Sequence, residues 1–246
     1  MEIIIIHRYY NMRRRFLLIF LLHISIFTPL FAQGHERWQY SDVIRGEVFI
    51  DFEQMYAGHI SEEYPLSADN AGKLALEEIA MLFSAMVHGW SFHYDVGERA
   101  RNIAEKLEIT PLGTIKWGDP QLIVTETEIR DMALRVWADY HLNESQQRRM
   151  QVWRTGMIKN AQATGYGPSY LEEYPGWLAV KKMALEDSAR AALRSALRGS
   201  ERNRPKEVTG FISLASFPRY YIDSGRWSVF ARFRVEITEI IPFAAY

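Results

Sequence analysis

The sequence predicts an α+β fold in which helices pack on antiparallel β-hairpins, and three observations carry that prediction. Two alternating runs, Val208 to Phe217 and Trp227 to Ile237, flank Asp223-Ser224-Gly225. Strict alternation is the period of a strand with one buried face, and the polar cluster with glycine is turn chemistry. Trp177 to Leu197 has helical length, with Leu185, Ala189, Ala192 and Ala196 forming a narrow seam that permits close packing, and Gly199 ends it. Ser67 is placed to cap another long helix reaching about His88, whose segment Ile79 to Val87 holds one polar residue, Ser84.

The remaining elements follow in chain order. Ile44, Gly46, Val48, Ile50 and Phe52 alternate with Arg45, Glu47, Phe49 and Asp51, which predicts a strand over 43–53. A short amphipathic stretch, Glu98 to Leu107, leads to a strand at 108–117 and a Gly118-Asp119-Pro120 turn. Residues 131–142 read both ways. Met132, Leu134, Val136, Ala138, Tyr140 and Leu142 alternate, yet Ile129, Met132, Ala133, Val136, Trp137 and Tyr140 fit a helical face, and Thr125 with Glu128 resembles a capping box. Asn143 followed by Gln146 opens a helix to about Ala161, with Met150, Trp153 and Met157 on one side. The loop Thr164 to Gly176 is the best boundary, dividing residues 33–163 from a helix-plus-hairpin half at 164–246; one compact domain is the alternative.

Residues 12–32 carry an address. Arg13, Arg14 and Arg15 precede an apolar run, Phe16 to Phe27, too short to span a bilayer, and Thr28 to Ala32 offers a small residue to a peptidase. The expectation is a signal peptide over residues 1–32 and an exported, soluble protein, periplasmic or extracellular; an uncleaved anchor is the alternative. The chain has no cysteine, so it has neither a disulfide framework nor a site for lipoprotein acylation. Removing residues 1–32 takes away four arginines and one glutamate, leaving a net charge of about −4. That mild acidity argues against a nucleic-acid partner. All seven tryptophans follow residue 32, as in an ordered globular protein.

The sequence also echoes itself. Glu62-Glu63-Tyr64-Pro65 recurs as Glu172-Glu173-Tyr174-Pro175, and each copy precedes a helix with related segments, Lys73 to Glu78 and Lys182 to Asp187. Two explanations stand: a duplicated helix–strand–strand unit, or the ease with which alanine-rich helices match by chance. Duplication requires 131–142 to be a strand. An Ala-rich helix (Ala184, Ala189, Ala191, Ala192, Ala196) before alternating strands, over Trp177 to Ile237 and echoed at 67–142, resembles the small envelope modules of flagellar assembly protein T and related periplasmic lipoproteins. The absent lipidation cysteine departs from the lipoprotein members. The resemblance implies a non-enzymatic scaffold or binding role, with other envelope proteins or an anionic envelope component as partner.

Candidate sites are few, and no catalytic, cofactor or metal residue is assigned. His88, His93 and Asp95 are the nearest approach to a metal set, but the histidines lie five apart with Gly89 between, not four apart on one helix face. Glu62, Glu63, Glu172 and Glu173 precede prolines, where neighbouring carboxylates splay and suit helix starts. Arg190, Arg194 and Arg198 recur every four residues and continue into Arg202 and Arg204. They offer a face for an anionic partner, or a solvated face in which Glu186 pairs with Arg190. On the final hairpin, Phe230 beside Arg232 and Arg234 suits a protein contact. The chain lacks a Gly-rich phosphate loop, a nucleophile elbow and a His-Glu-x-x-His motif. The expected function is binding or scaffolding in the cell envelope; the alternatives are a cell-wall hydrolase using dispersed carboxylates and a small-ligand carrier, which needs an apolar cavity.

Overall fold

A computed structural model describes residues 42–53, 64–98, 101–154, 158–169, 175–198 and 205–242. The signal segment, Glu62, Glu63, Glu172 to Tyr174, Arg202 and Arg204 lie outside the described residues. Chain contacts separate Met1–Asp42 from Val43–Tyr246. The described residues of the second unit hold three helices, α1 (Ala68–Val87), α2 (Glu144–Val152) and α3 (Trp177–Arg198). They also hold nine strands: β1 (Val43–Asp51), β2 (Trp90–Asp95), β3 (Lys106–Pro111), β4 (Leu122–Arg130), β5 (Ala133–His141), β6 (Lys159–Tyr166), β7 (Pro205–Leu214), β8 (Arg219–Asp223) and β9 (Arg226–Pro242). The fold is α+β, and every strand pairing in it is antiparallel.

One sheet has the order β1-β5-β4 and the other β3-β2-β7-β9-β6, with β8 also on β9. β6 and β7 both pair with Phe233–Val235 and so occupy opposite edges of β9, leaving β8 to continue the β7 edge. Two local arrangements therefore correspond. In β1-β5-β4 and in β6-β9-β8, the strand preceding a long helix flanks the second strand of the hairpin that comes later. Both hairpins close through two residues with left-handed backbone, Asp131-Met132 (φ 52 and 59) and Ser224-Gly225 (φ 51 and 76). Such turns match the twist of the strands they join.

Residues 131–142 are thus a turn and a strand. Leu134, Val136, Ala138 and Tyr140 face the core, where Phe83 of α1 lies 5.6 Å from the Tyr140 ring and 5.2 Å from Phe217. Burying Phe83 fully contributes about 1.5–3 kcal/mol. Ser67 caps α1 as its hydroxyl accepts from the Asn70 amide, and Asn143 with Gln146 forms a full capping box on α2.

Four readings of the sequence need correction. The helix from Asn143 stops at Val152, and Lys159–Tyr166 is strand, so Thr164 to Tyr166 are not loop. Pairing with β9 outweighs the helical pattern there. Thr125 and Glu128 belong to β4, not a capping box, in a run rich in β-branched side chains. The strand read at 108–117 begins at Lys106 and ends at Pro111, after which a loop carries Ile115 into the core. Trp90–Asp95, to which the pattern gave no element, is a strand with Phe92 and Tyr94 buried.

Candidate functional site

α1 and α3 flank an open cavity of about 460 Å³ that residues of β2, β3 and the loop 113–117 also line. α1 contributes Ala80, Met81, Ser84 and Ala85, spaced so that all lie on one helical face. α3 contributes Leu178, Leu185 and Ala189 at the same periodicity. Alanines at three of these positions leave the space that larger side chains would fill. The volume falls within the range of small-molecule sites, about 300–1,000 Å³.

Ser84 organises the wall. Its hydroxyl donates to the Ala80 carbonyl at 2.6 Å and accepts from the Ile115 amide at 2.8 Å, so the loop is hooked to the helix and the hydroxyl is satisfied. Gly113 lies against the His88 imidazole, where a Cβ would come within 2.7 Å of the ring. Burial, with a smaller effect from Arg149, lowers the pKa of that imidazole and favours its neutral form. Trp117, 63% exposed, stands at the mouth. Glu77, Lys116, Lys182 and Glu186 complete the lining, with Lys182 paired to Glu186 at 3.8 Å.

One residue inward from Glu77 and Lys182 lies a buried ion pair. The Lys181 ammonium donates to both oxygens of Glu78 at 2.8 Å, with the two side chains 1% and 2% exposed, and the Trp177 indole N–H donates to the same carboxylate at 3.0 Å. The rings of Trp177, Tyr220, Phe49 and Trp227 surround the ammonium at 4.3, 4.9, 5.1 and 5.1 Å. Aromatic faces attract a cation and replace part of its lost hydration. Burial still pulls the Lys181 pKa down, against the opposing attraction of Glu78. It also raises the Asp51 carboxyl, which Lys181 partly offsets, and drives the Tyr220 phenol well above its ordinary value. The pair ties α1 to α3, one residue along each helix from the cavity lining. It reacts with nothing from solvent in this geometry, because neither charge is accessible.

The arginines singled out in the sequence are differently employed. Arg190 pairs with Asp187 at 3.1 Å, not with Glu186, which is engaged by Lys182. Both acids are within helical reach of Arg190, at three and four residues; Lys182 holds Glu186, and Arg190 takes Asp187. Arg194 grips both oxygens of Glu105, which also accepts from the Tyr94 hydroxyl. Desolvation works against ionising Glu105, but the bonds from Arg194 and Tyr94 outweigh it and hold its pKa below the usual carboxylate range. The backbone of Arg198 belongs to α3. Phe230 is half-buried, Arg232 exposed and Arg234 half-buried; Arg234 donates to the Ala215 carbonyl at 3.3 Å, and burial with nearby Arg154 lowers its pKa.

His93 and Asp95 meet at 3.3 Å on β2, and Glu207 on β7 joins them, since Asp95 and Glu207 are cross-strand partners. His88 is elsewhere, at the C-terminal cap of α1 and against Gly113. The cluster competes with nearby lysines: Glu207 is paired with Lys206, and Glu108 with Lys106.

Sequence reasoning missed the cavity and Lys181. The signals existed: Ser84 as the lone polar residue in an apolar segment, and a charge on the core-facing side of each long helix, opposite in sign. Trp177, Lys181, Ala184 and Ser188 share a face, as do Ala71, Ala75, Glu78 and Leu82.

A protein-family model matches residues 34–243. An uncharacterised protein of Treponema pallidum (strain Nichols) is 27% identical over 167 residues, covering 68% of this chain and 68% of that protein. No solved structure matches. Among the described residues, no helix is long and apolar enough to cross a membrane.

Proposed function

Since the chain belongs to the family matched across residues 34–243, we propose a single role for that whole span: an exported cell-envelope protein that acts by binding, with the cavity between α1 and α3 as its ligand site. One observation carries the reading. The cavity walls are apolar, and the hydroxyl within them is already bonded to Ala80 and Ile115. Catalysis by paired carboxylates needs two groups converging on one substrate atom. Glu77 and Glu186 instead stand on separate helices among lysines, and one is paired. Export rests on Met12 to Ala32, and the resemblance of Trp177 to Ile237 to envelope modules of flagellar assembly protein T belongs to the same proposal. Descent by duplication is part of it too, supported by the matching β1-β5-β4 and β6-β9-β8 arrangements and by the two left-handed turns.

The test has two arms. Protein recovered from the producing cell's envelope fraction should begin near Gln33 by mass spectrometry. It should bind the neutral apolar probe N-phenyl-1-naphthylamine saturably at one site, and Met81→Trp, which narrows the cavity, should weaken that binding several-fold while the circular dichroism is unchanged. Retention of the protein in the cytoplasm overturns export; absence of saturable probe binding overturns the ligand site.

A further inference from the structure

Building on that reading, we propose that the cavity takes the acyl chain of a single-chain amphiphile whose head carries no net charge and stays at the rim. The walls select the chain. Ala80, Met81, Ile109, Leu178, Leu185 and Ala189 present only carbon and sulfur, and the Ser84 hydroxyl is occupied by Ala80 and Ile115. A nucleotide, a sugar or a peptide backbone would surrender its bonds to water there and find no replacement. A hydrocarbon chain surrenders none.

Size limits the occupant to one chain. A methylene needs about the space of a water molecule, roughly 30 Å³, so the cavity of about 460 Å³ holds on the order of fifteen of them. The rim selects the head. Glu77 and Glu186 are matched by Lys116 and Lys182, so the mouth has both signs and no net charge. A zwitterion can meet both, whereas an anion or a cation gains against one pair and loses against the other. Trp117, in the lining yet largely exposed, suits a boundary where an apolar chain meets a wet head.

The experiment titrates protein made from the full-length sequence with lysophosphatidylcholines of increasing chain length, each below its micelle concentration. Binding is read from tryptophan fluorescence and from displacement of N-phenyl-1-naphthylamine. Affinity should rise about fourfold per added methylene and level off once the cavity is full. Met81→Trp should move the plateau to shorter chains. Leu178→Trp, on the other helix, should do the same if the first variant folds poorly. A fatty acid of equal length should bind several-fold more weakly; equal or tighter binding overturns the neutral head. Probe binding without dependence on chain length overturns the acyl chain and leaves the ligand site standing. No binding of either probe or lipid overturns both.

Discussion

Gly165 on β6 lies so close to Ser188 of α3 that a Cβ there would fall on the Ser188 amide nitrogen and the Ala184 carbonyl. The Ser188 hydroxyl crosses the same gap to donate to the Ala163 carbonyl at 2.8 Å. The small-residue seam of α3 is therefore docked backbone to backbone. Gly165→Ala should lower the unfolding free energy by about 1–3 kcal/mol, because the overlap is with backbone that has no rotamer to yield. Ser188→Ala should cost about 1 kcal/mol. Urea unfolding of both variants checks the order.

Removing one partner of the buried pair leaves the other charge in an apolar, ring-lined site. Lys181→Met or Glu78→Gln should each destabilise by about 3–5 kcal/mol. Combining Lys181→Met with Glu78→Met removes both charges, and the sulfurs can pack against the rings. The double variant should recover much of the loss, failing to reach the parent because the Trp177 indole N–H then lacks its acceptor. Additive losses in the double variant would mean that the two charges are not coupled.

Glu105 gives the fold an acid dependence. Its pKa is depressed relative to the ordinary 4.5, so the stability it contributes is present above 4.5 and is lost as pH falls through its lower folded value. Arg194 is 41% exposed, so solvent discounts the pair, and Glu105→Gln should cost about 1–2 kcal/mol at neutral pH. The variant should also have a flatter stability profile below pH 4.5, measured by thermal melts.

Tyr94 and Tyr220 govern the alkaline side. Burial raises both phenols above their ordinary value of 10, and Glu105 adds to the shift at Tyr94. Above pH 10 the unfolded chain releases protons that the fold retains, so stability present below pH 10 declines as pH rises toward the folded values. Lys181, with a lowered pKa, acts in the opposite sense, but its contribution levels off above its ordinary value of 10.5. Melts above pH 10.5 should show the decline, and phenolate absorbance should jump at unfolding. Tyr94→Phe should weaken the effect.

Legibility followed the number of partners a segment needs. β9 and α3 were readable because each declares one face: Val229, Ala231, Phe233 and Val235 alternate, and the α3 seam recurs at helical spacing. β6 was misread because Lys159–Tyr166 has little apolar signal of its own; it is a strand through β9 on one side and α3 above. β4 was obscured for a related reason. It is an edge strand with mostly exposed side chains, so neither period stands out. The cavity could not be read from the sequence because it is a property of two helices and a loop that lie far apart in the chain, and only Ser84 marked it locally.

The Lys181–Glu78 pair places one charge on each of the two long helices, and that has a hereditary consequence. Neither helix can exchange its charged residue for an apolar one by itself without exposing its neighbour to an uncompensated field. Tolerable change must come as a matched double step, so the two positions should vary together or not at all among descendants of this chain. The same bond makes the halves poor candidates for independent inheritance: a gene fragment encoding only the first would deliver a carboxylate into a core with no cation to meet it.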